Sequence, residues 1–278
     1  MINSINISME GFMQDKNALN NFKDVLGKYC AINQFVELSK RCFVAEHQQE
    51  IQKRDTFIKL ATKYQVTLTN YNAERMVSEI SRSYIVNVHL CFETFLKTVC
   101  NQMKVYGEKE YKPRKQEESY LHCAVRNICD NNLAEDMKPL YELCEYYRLI
   151  RNVAVHDLCE LDFHEREFRK LEKYNFKTET KFSALVAPNK YDYISFDDFV
   201  MFSRSCVELA SYIFSRMSYD YKKIVRNIPN RQVNIWKNYS QVRRQKALYS
   251  YIKTLYKVNE NLEQQIPYLL SIIIDPIV

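Results

Sequence analysis

An all-α fold follows from three observations. The 278-residue chain has only three glycines, Gly11, Gly27 and Gly107, and six prolines, too little turn chemistry for a many-stranded sheet. Its apolar residues recur at spacings of three and four, the period of a helix with one buried face. A composition of 46% hydrophobic and 27% charged residues is that of an ordinary globular chain, long enough for one large domain or a domain with extensions.

Taken in order, residues 15–66 carry a broken stripe of Phe22, Val25, Leu26, Tyr29, Ile32, Phe35, Val36 and Leu38, which predicts two antiparallel helices packed on the core. A longer helix is predicted from about Glu74 to Met103, burying Ile85, Val88, Phe92, Phe95, Leu96 and Val99. On its flank His89 and Glu93 fall one turn apart, as an ordinary intrahelical pair does. A further role for Glu93 is to face the next long helix and orient a guanidinium or imidazole there. Residues 105–119 are polar and contain Gly107 and Pro113, the signature of an exposed loop. A short helix starts near Tyr120, where His122 and Arg126 form a pair of no evident use. Another begins around residues 137–139, where proline is tolerated in a first turn. Charged residues 162–173 continue as a solvated helix, and 174–193 are the one place where a short hairpin fits. Ser195 with Asp198 reads as a capping box for a closing helix, Asp198 standing in for the usual Glu.

The nine cysteines, Cys30, Cys42, Cys91, Cys100, Cys123, Cys129, Cys144, Cys159 and Cys206, form no Cys-x-x-Cys and are odd in number. They read as reduced core residues rather than a disulfide framework or a zinc site. The first ten residues lack a basic start and an apolar core, and no apolar run approaches the ~20 residues of a spanning helix. A cytoplasmic protein without a membrane segment is expected.

The chemistry concentrates in Tyr141-Glu-Leu-Cys-Glu-Tyr-Tyr-Arg148-Leu-Ile-Arg151-Asn152-Val-Ala-Val-His156-Asp157-Leu158. Leu143, Tyr147, Ile150, Ala154 and Leu158 make its buried stripe. Arg148, Asn152 and His156 are four apart and share a side, and the long side chain of Arg151 reaches the same place. An imidazole moves protons near neutrality, and a guanidinium holds phosphate through paired hydrogen bonds. That combination suits RNA cleavage, because RNA brings its own 2′-hydroxyl nucleophile and the protein adds only proton transfer and positive charge. No metal and no cofactor enter such a scheme. The spacing by itself is weak: Arg41 with His47 and Arg82 with His89 also match Arg followed by His within a few residues. The polar Asn152 and the mid-helix setting distinguish Arg151.

The segment Arg151-Asn152-Val-Ala-Val-His156 resembles the Arg-polar-x-x-x-His signature of HEPN domains, small all-helical modules of many prokaryotic toxins, abortive-infection proteins and RNA-processing enzymes. Residues 83–97, with acidic Glu93 inside an apolar stripe, resemble the long helix that pairs with the family's motif helix, and residues 199–214 resemble its closing helix. The likeness covers about residues 74–218. It implies a HEPN-like bundle in which Arg151 holds phosphate, His156 acts on the proton, Asn152 positions, and two protomers join their motifs across a homodimer interface. In one HEPN branch a modified tyrosine stands two residues after the histidine. Here that position is Leu158, so the resemblance does not extend to that regulation.

The organisation expected is therefore an N-terminal helical extension (1–73), the HEPN-like bundle (74–218) and a basic C-terminal segment (219–278). The last segment holds ten Lys and Arg against four Asp and Glu, an excess of six equal to the net charge of the whole chain. Its cations Arg243, Arg244 and Lys246 are interleaved with Trp236 and Tyr249, a mixture suited to neutralising phosphate and stacking bases. Leu248, Ile252, Leu255, Leu262 and Ile266 give the same segment a stripe for packing on the bundle, and the two uses fit opposite faces. Two functions follow. One is a metal-independent endoribonuclease in a toxin or anti-phage role, with RNA as substrate, Arg148 as a further RNA contact and an antitoxin or regulatory partner. The other is a non-catalytic helical module that binds RNA or a partner protein.

Overall fold

The computed structural model describes residues 16–47, 54–67, 73–156 and 161–274, and these are helical with no strand among them. Among the described residues eleven α-helices follow in order: α1 (Ala18–Glu46), α2 (Arg54–Lys63), α3 (Ala73–Tyr106), α4 (Tyr120–Ile128), α5 (Lys138–His156), α6 (Leu161–Leu171), α7 (Phe196–Arg216), α8 (Tyr221–Arg226), α9 (Asn230–Lys237), α10 (Gln241–Leu255) and α11 (Leu262–Ile274). Several starts are written locally. Asn17, Ser119 and Asp220 each accept a backbone N–H at the head of α1, α4 and α8, and Pro139 sits in the first turn of α5. The expected Ser195–Asp198 capping box opens α7.

α3 is the axis of the bundle, with α1, α4, α5 and α7 packed around it. Its face at Tyr84, Ile85, Val88, Phe92, Phe95, Leu96 and Val99 is buried, as the helical spacing predicts. Opposite it stand Leu143, Tyr147 and Ile150 of α5 and Phe199, Phe202, Leu209 and Ile213 of α7, all fully buried. Six of the cysteines, Cys91, Cys100, Cys123, Cys129, Cys144 and Cys206, are buried free thiols. No helix among the described residues is long and apolar enough to cross a membrane.

Residues 15–66 hold two helices as expected, α1 and α2, but the apolar stripe assigned to the core is only partly buried. In α1 only the first half buries apolar side chains, among them Phe22 and Leu26, with Phe22 lying 5.2 Å from the Phe95 ring. Further along, the same helical face presents Asn33 and Glu37 to α3, where Asn87 donates to Asn33 (3.0 Å) and Lys40 and Arg41 pair with Glu37. Ile32, Phe35 and Leu38 therefore point away from the core and are more than half exposed. α2 meets α1 through Phe57, edge-on to Phe43.

Residues 174–193 form no hairpin. One backbone bond crosses the stretch, from the Leu185 N–H to the Thr178 carbonyl (2.7 Å), without a strand forming; beside it the Thr180 hydroxyl accepts from the Ser183 N–H, and Asp197 accepts from the Val186 N–H (2.9 Å). The stretch closes with a short 3-10 turn, Tyr191–Tyr193.

The basic segment is built as four helices, with α11 packing on α8, α9 and α10. It is fastened to the end of α3. Lys223 donates to the Gly107 carbonyl (2.7 Å), Tyr219 donates to Gln102 (2.8 Å), and Tyr256 packs edge-on against both Tyr106 and Tyr219. Gly107 is required here, since a Cβ would come within 2.5 Å of the Met103 carbonyl oxygen.

Candidate functional site

The motif helix α5 crosses α3 so that Arg148, Arg151 and Asn152 open on one cavity of about 260 Å³, and the facing wall is His89 and Glu93 of α3. Their spacings, 148/151/152 on one helix and 89/93 on the other, place each set on one side. The expected sharing of a side by Arg148 and Asn152, with Arg151 reaching the same place, is the arrangement found. Glu93 lines the same cavity and makes its ion pair with Lys97 of its own helix (3.3 Å). Arg151 donates to Asn152 Oδ1 (3.0 Å), and Arg148 donates through Nε to Glu145 (2.8 Å). His156 is the last residue of α5. Its side chain, with Asp157 and Leu158, lies outside the described residues.

The third wall is the loop before α4, read from sequence only as an exposed connection. Arg114, Glu117, Glu118 and Ser119 line the cavity. The loop is held by Arg126, which clamps Glu118 with two hydrogen bonds (2.7 and 2.8 Å) and also donates to the carbonyls of Lys112 and Pro113. Those bonds from Arg126 hold the Glu118 carboxyl down at about 2 against a desolvation that pushes it up. Arg126 thus has a use that its sequence did not disclose. His122, its neighbour, meets the Tyr141 hydroxyl at 3.0 Å. Arg114 stacks on the Tyr120 ring at 4.6 Å. Ser119 donates to Glu145 (2.6 Å), tying the loop to α5 beside Arg148.

His89 is the residue that sequence reasoning passed over. It is 7% exposed, and its Nδ1 is buried without a hydrogen-bond partner. Burial pushes the imidazole down to about 4; Glu93 opposes the shift, while Arg151, Arg148 and Lys97 add to it. At neutral pH it is uncharged, in the same cavity wall as the guanidiniums of Arg148 and Arg151. The available signal was its helical spacing, four residues after Ile85, three before Phe92 and seven before Leu96, all buried.

The rotation of α5 is set from behind the cavity. Asp198, fully buried at the head of α7, accepts five hydrogen bonds: from the Tyr147 hydroxyl (2.9 Å), the Asn189 N–H and side-chain amide, and the Ser195 N–H and hydroxyl. Burial raises its carboxyl, and the donors pull it back. Because Tyr147 immediately precedes Arg148, that anchor fixes which way the arginines point.

The arginines of the other two Arg–His pairs do not line the cavity. Arg41 is bound to Glu37 (2.8 Å), and buried Arg82 lies on the Tyr191 ring while pairing with Glu79.

In the basic segment the proposed contacts divide. Arg243 and Lys246 are exposed on α10, with Arg243 over the Tyr239 ring at 4.0 Å. Tyr249 is half-buried beneath Lys253. Arg244 donates to the carbonyls of Trp236 (3.1 Å) and Lys237 (2.6 Å), closing the C-terminus of α9. Trp236 is 3% exposed and packs edge-on against Tyr251, so it offers no face to a base. Its assignment to stacking is corrected: Trp236 falls on the same helical side as Val233, and that side is buried.

Comparison of the chain with family models, with curated proteins and with solved structures gives no match in any of the three.

Proposed function

We propose that the chain is a metal-independent endoribonuclease of HEPN type, cleaving RNA by attack of the 2′-hydroxyl on the adjacent phosphate, in a toxin or anti-phage role. The supporting observation is the convergence of Arg148, Arg151 and Asn152 with His89 and Glu93 on one cavity. Guanidiniums in a partly water-excluded site stabilise the charge that develops on the phosphorane oxygens. Asn152 restrains Arg151 through its side-chain oxygen. His156, one turn beyond Asn152 on α5, is the proton-transfer group on this reading, and a second protomer completes the site across a homodimer interface. The exposed cations Arg243 and Lys246 extend the RNA path by neutralising backbone phosphates.

A second reading, a non-catalytic module that binds RNA or a partner protein, is favoured by the Arg148–Glu145 ion pair and by four glutamates, Glu93, Glu117, Glu118 and Glu145, in the cavity wall.

The deciding experiment incubates the purified chain with total RNA in excess chelator, beside the variants Arg151→Ala and His156→Ala. Cleavage that survives chelation, leaves 2′,3′-cyclic phosphate ends and is lost in both folded variants is expected. Strict dependence on a divalent metal, or full activity in either variant, overturns the proposal.

A further inference from the structure

The cavity contains a group that the proposed reaction leaves unused. His89 is more than nine-tenths buried, its Nδ1 has no hydrogen-bond partner, and it faces Arg148 and Arg151 across the space between α3 and α5. A buried polar atom left unpaired is destabilising, and such atoms call for an explanation. A second observation concerns size. At about 260 Å³ the cavity falls below the ~300–1,000 Å³ of pockets that hold drug-sized ligands, so it suits one phosphoryl group with part of its sugar.

We propose that the cavity is an oxyanion site for a single phosphoryl group of RNA, held by Arg148 and Arg151, and that His89 belongs to it, taking up a proton from solvent as the anion enters. This rests on the phosphodiester reading and adds His89 and the coupled proton to it.

The charges around the imidazole set the sign. Glu93 and Lys97 face it from α3, Glu145, Arg148 and Arg151 from α5, and Arg114, Glu117 and Glu118 from the loop. Glu118 is engaged by Arg126, Glu145 by Arg148 and Glu93 by Lys97. In the free protein burial and the two facing guanidiniums keep His89 neutral down to about pH 4. An anion between the guanidiniums cancels their repulsion and supplies an acceptor for an imidazolium N–H, so both effects favour protonation. Among the described residues Arg148 commits only Nε, to Glu145, and a guanidinium's planar fork carries five N–H donors. Neutral imidazole plus a proton from water gives imidazolium, and no bond of the ligand changes.

Sulfate is the probe, because it stays doubly charged through the range in which His89 titrates, so any proton taken up belongs to the protein. Calorimetric titration of the whole chain with sodium sulfate, in buffers of different ionisation enthalpy near pH 5.5, should give binding with fractional proton uptake. In the same experiment His89→Asn should bind within a few-fold of wild type with the uptake abolished, and Arg148→Gln or Arg151→Gln should weaken binding at least tenfold. Should His89→Asn not fold, the His89 Cε1–H resonance of wild type carries the test: sulfate should move its midpoint up by at least about one pH unit. Sulfate binding without uptake, uptake retained in His89→Asn, an unmoved midpoint, or no sulfate binding at all overturns the inference. The nuclease reading fails separately. Loss of RNA cleavage with intact sulfate-linked uptake leaves an anion site without that chemistry, and cleavage without uptake leaves the nuclease without this role for His89.

Discussion

The cleft between α3 and α5 and the C-terminal helices both set arginines beside aromatic rings, and they use the charge in opposite ways. In the cleft wall carboxylates meet cations, Glu93 with Lys97, Glu118 with Arg126 and Glu145 with Arg148. Across residues 219–274 no ion pair occurs among the described residues; Lys223 and Arg244 cap carbonyls there, and Arg243 and Lys253 cover rings. In a partly dry cleft ionisation is displaced, for His89 by burial first and by neighbouring charges second, and for Glu118 by its bonds from Arg126. Charges spread over a solvated face are screened within about 10 Å at moderate salt. The first arrangement suits orientation of a reacting group, and the second suits attraction of a polyanion of any sequence.

The contrast breaks most readily at Trp236, an aromatic that its composition assigns to the surface and its burial assigns to the core. Trp236→Ala should lower unfolding stability by about 3–5 kcal/mol, the range for emptying a buried aromatic site, read by urea denaturation. A loss below about 0.5 kcal/mol together with weaker RNA binding would return Trp236 to the surface.

A somewhat smaller effect tests the cleft. The His89 imidazole is lowered from 6.5 to about 4, so between those values the unfolded chain binds a proton that the folded chain refuses. Stability contributed by this group is present above about pH 6.5 and is lost as pH falls to about 4, amounting to ~3 kcal/mol at 1.4 kcal/mol per unit. Denaturation midpoints compared at pH 7 and pH 4.5 should show this loss in wild type and its absence in His89→Asn. An equal acid loss in both would mean that the cleft is no drier than the tail.

The smallest effect on stability belongs to the exposed cations. Arg243→Gln with Lys246→Gln should change folding stability by less than about 0.5 kcal/mol. The salt dependence of single-stranded RNA affinity should flatten by about 0.7 in log-log slope for each phosphate contact removed. An unchanged slope would make this face merely solvated. Arg244 is left out of the pair because its bonds to Trp236 and Lys237 mix structure with charge.

Much of the helical frame was legible because its signals are local. Apolar spacing located α3, α5 and α7, and Ser195 with Asp198 marked the start of α7. The grouping of Arg148, Arg151 and Asn152 was legible too, since a helix repeats every 3.6 residues regardless of context. What the sequence hid is what one helix does to another. Asn33 and Glu37 turn the buried face of α1 polar only because Asn87 and Tyr84 stand across from them. Arg126 finds Glu118 eight residues away through a loop whose path no periodicity describes. His89 looked like the partner of Glu93 at four residues' distance, and it gained its setting from α5, some sixty residues later in the chain.

Asp198 belongs to neither the motif nor the cavity, yet it holds Tyr147, the residue next to Arg148. Successive residues of a helix project about 100° apart, so a slip of one position in that attachment would carry both guanidiniums off the cleft while leaving every motif letter intact. The orientation of the site is therefore not portable with the motif. Transplanting residues 138–156 into another bundle would carry the chemical groups without the key that aims them. The smallest unit with a chance of transferring both is α5 together with Asn189, Ser195 and Asp198.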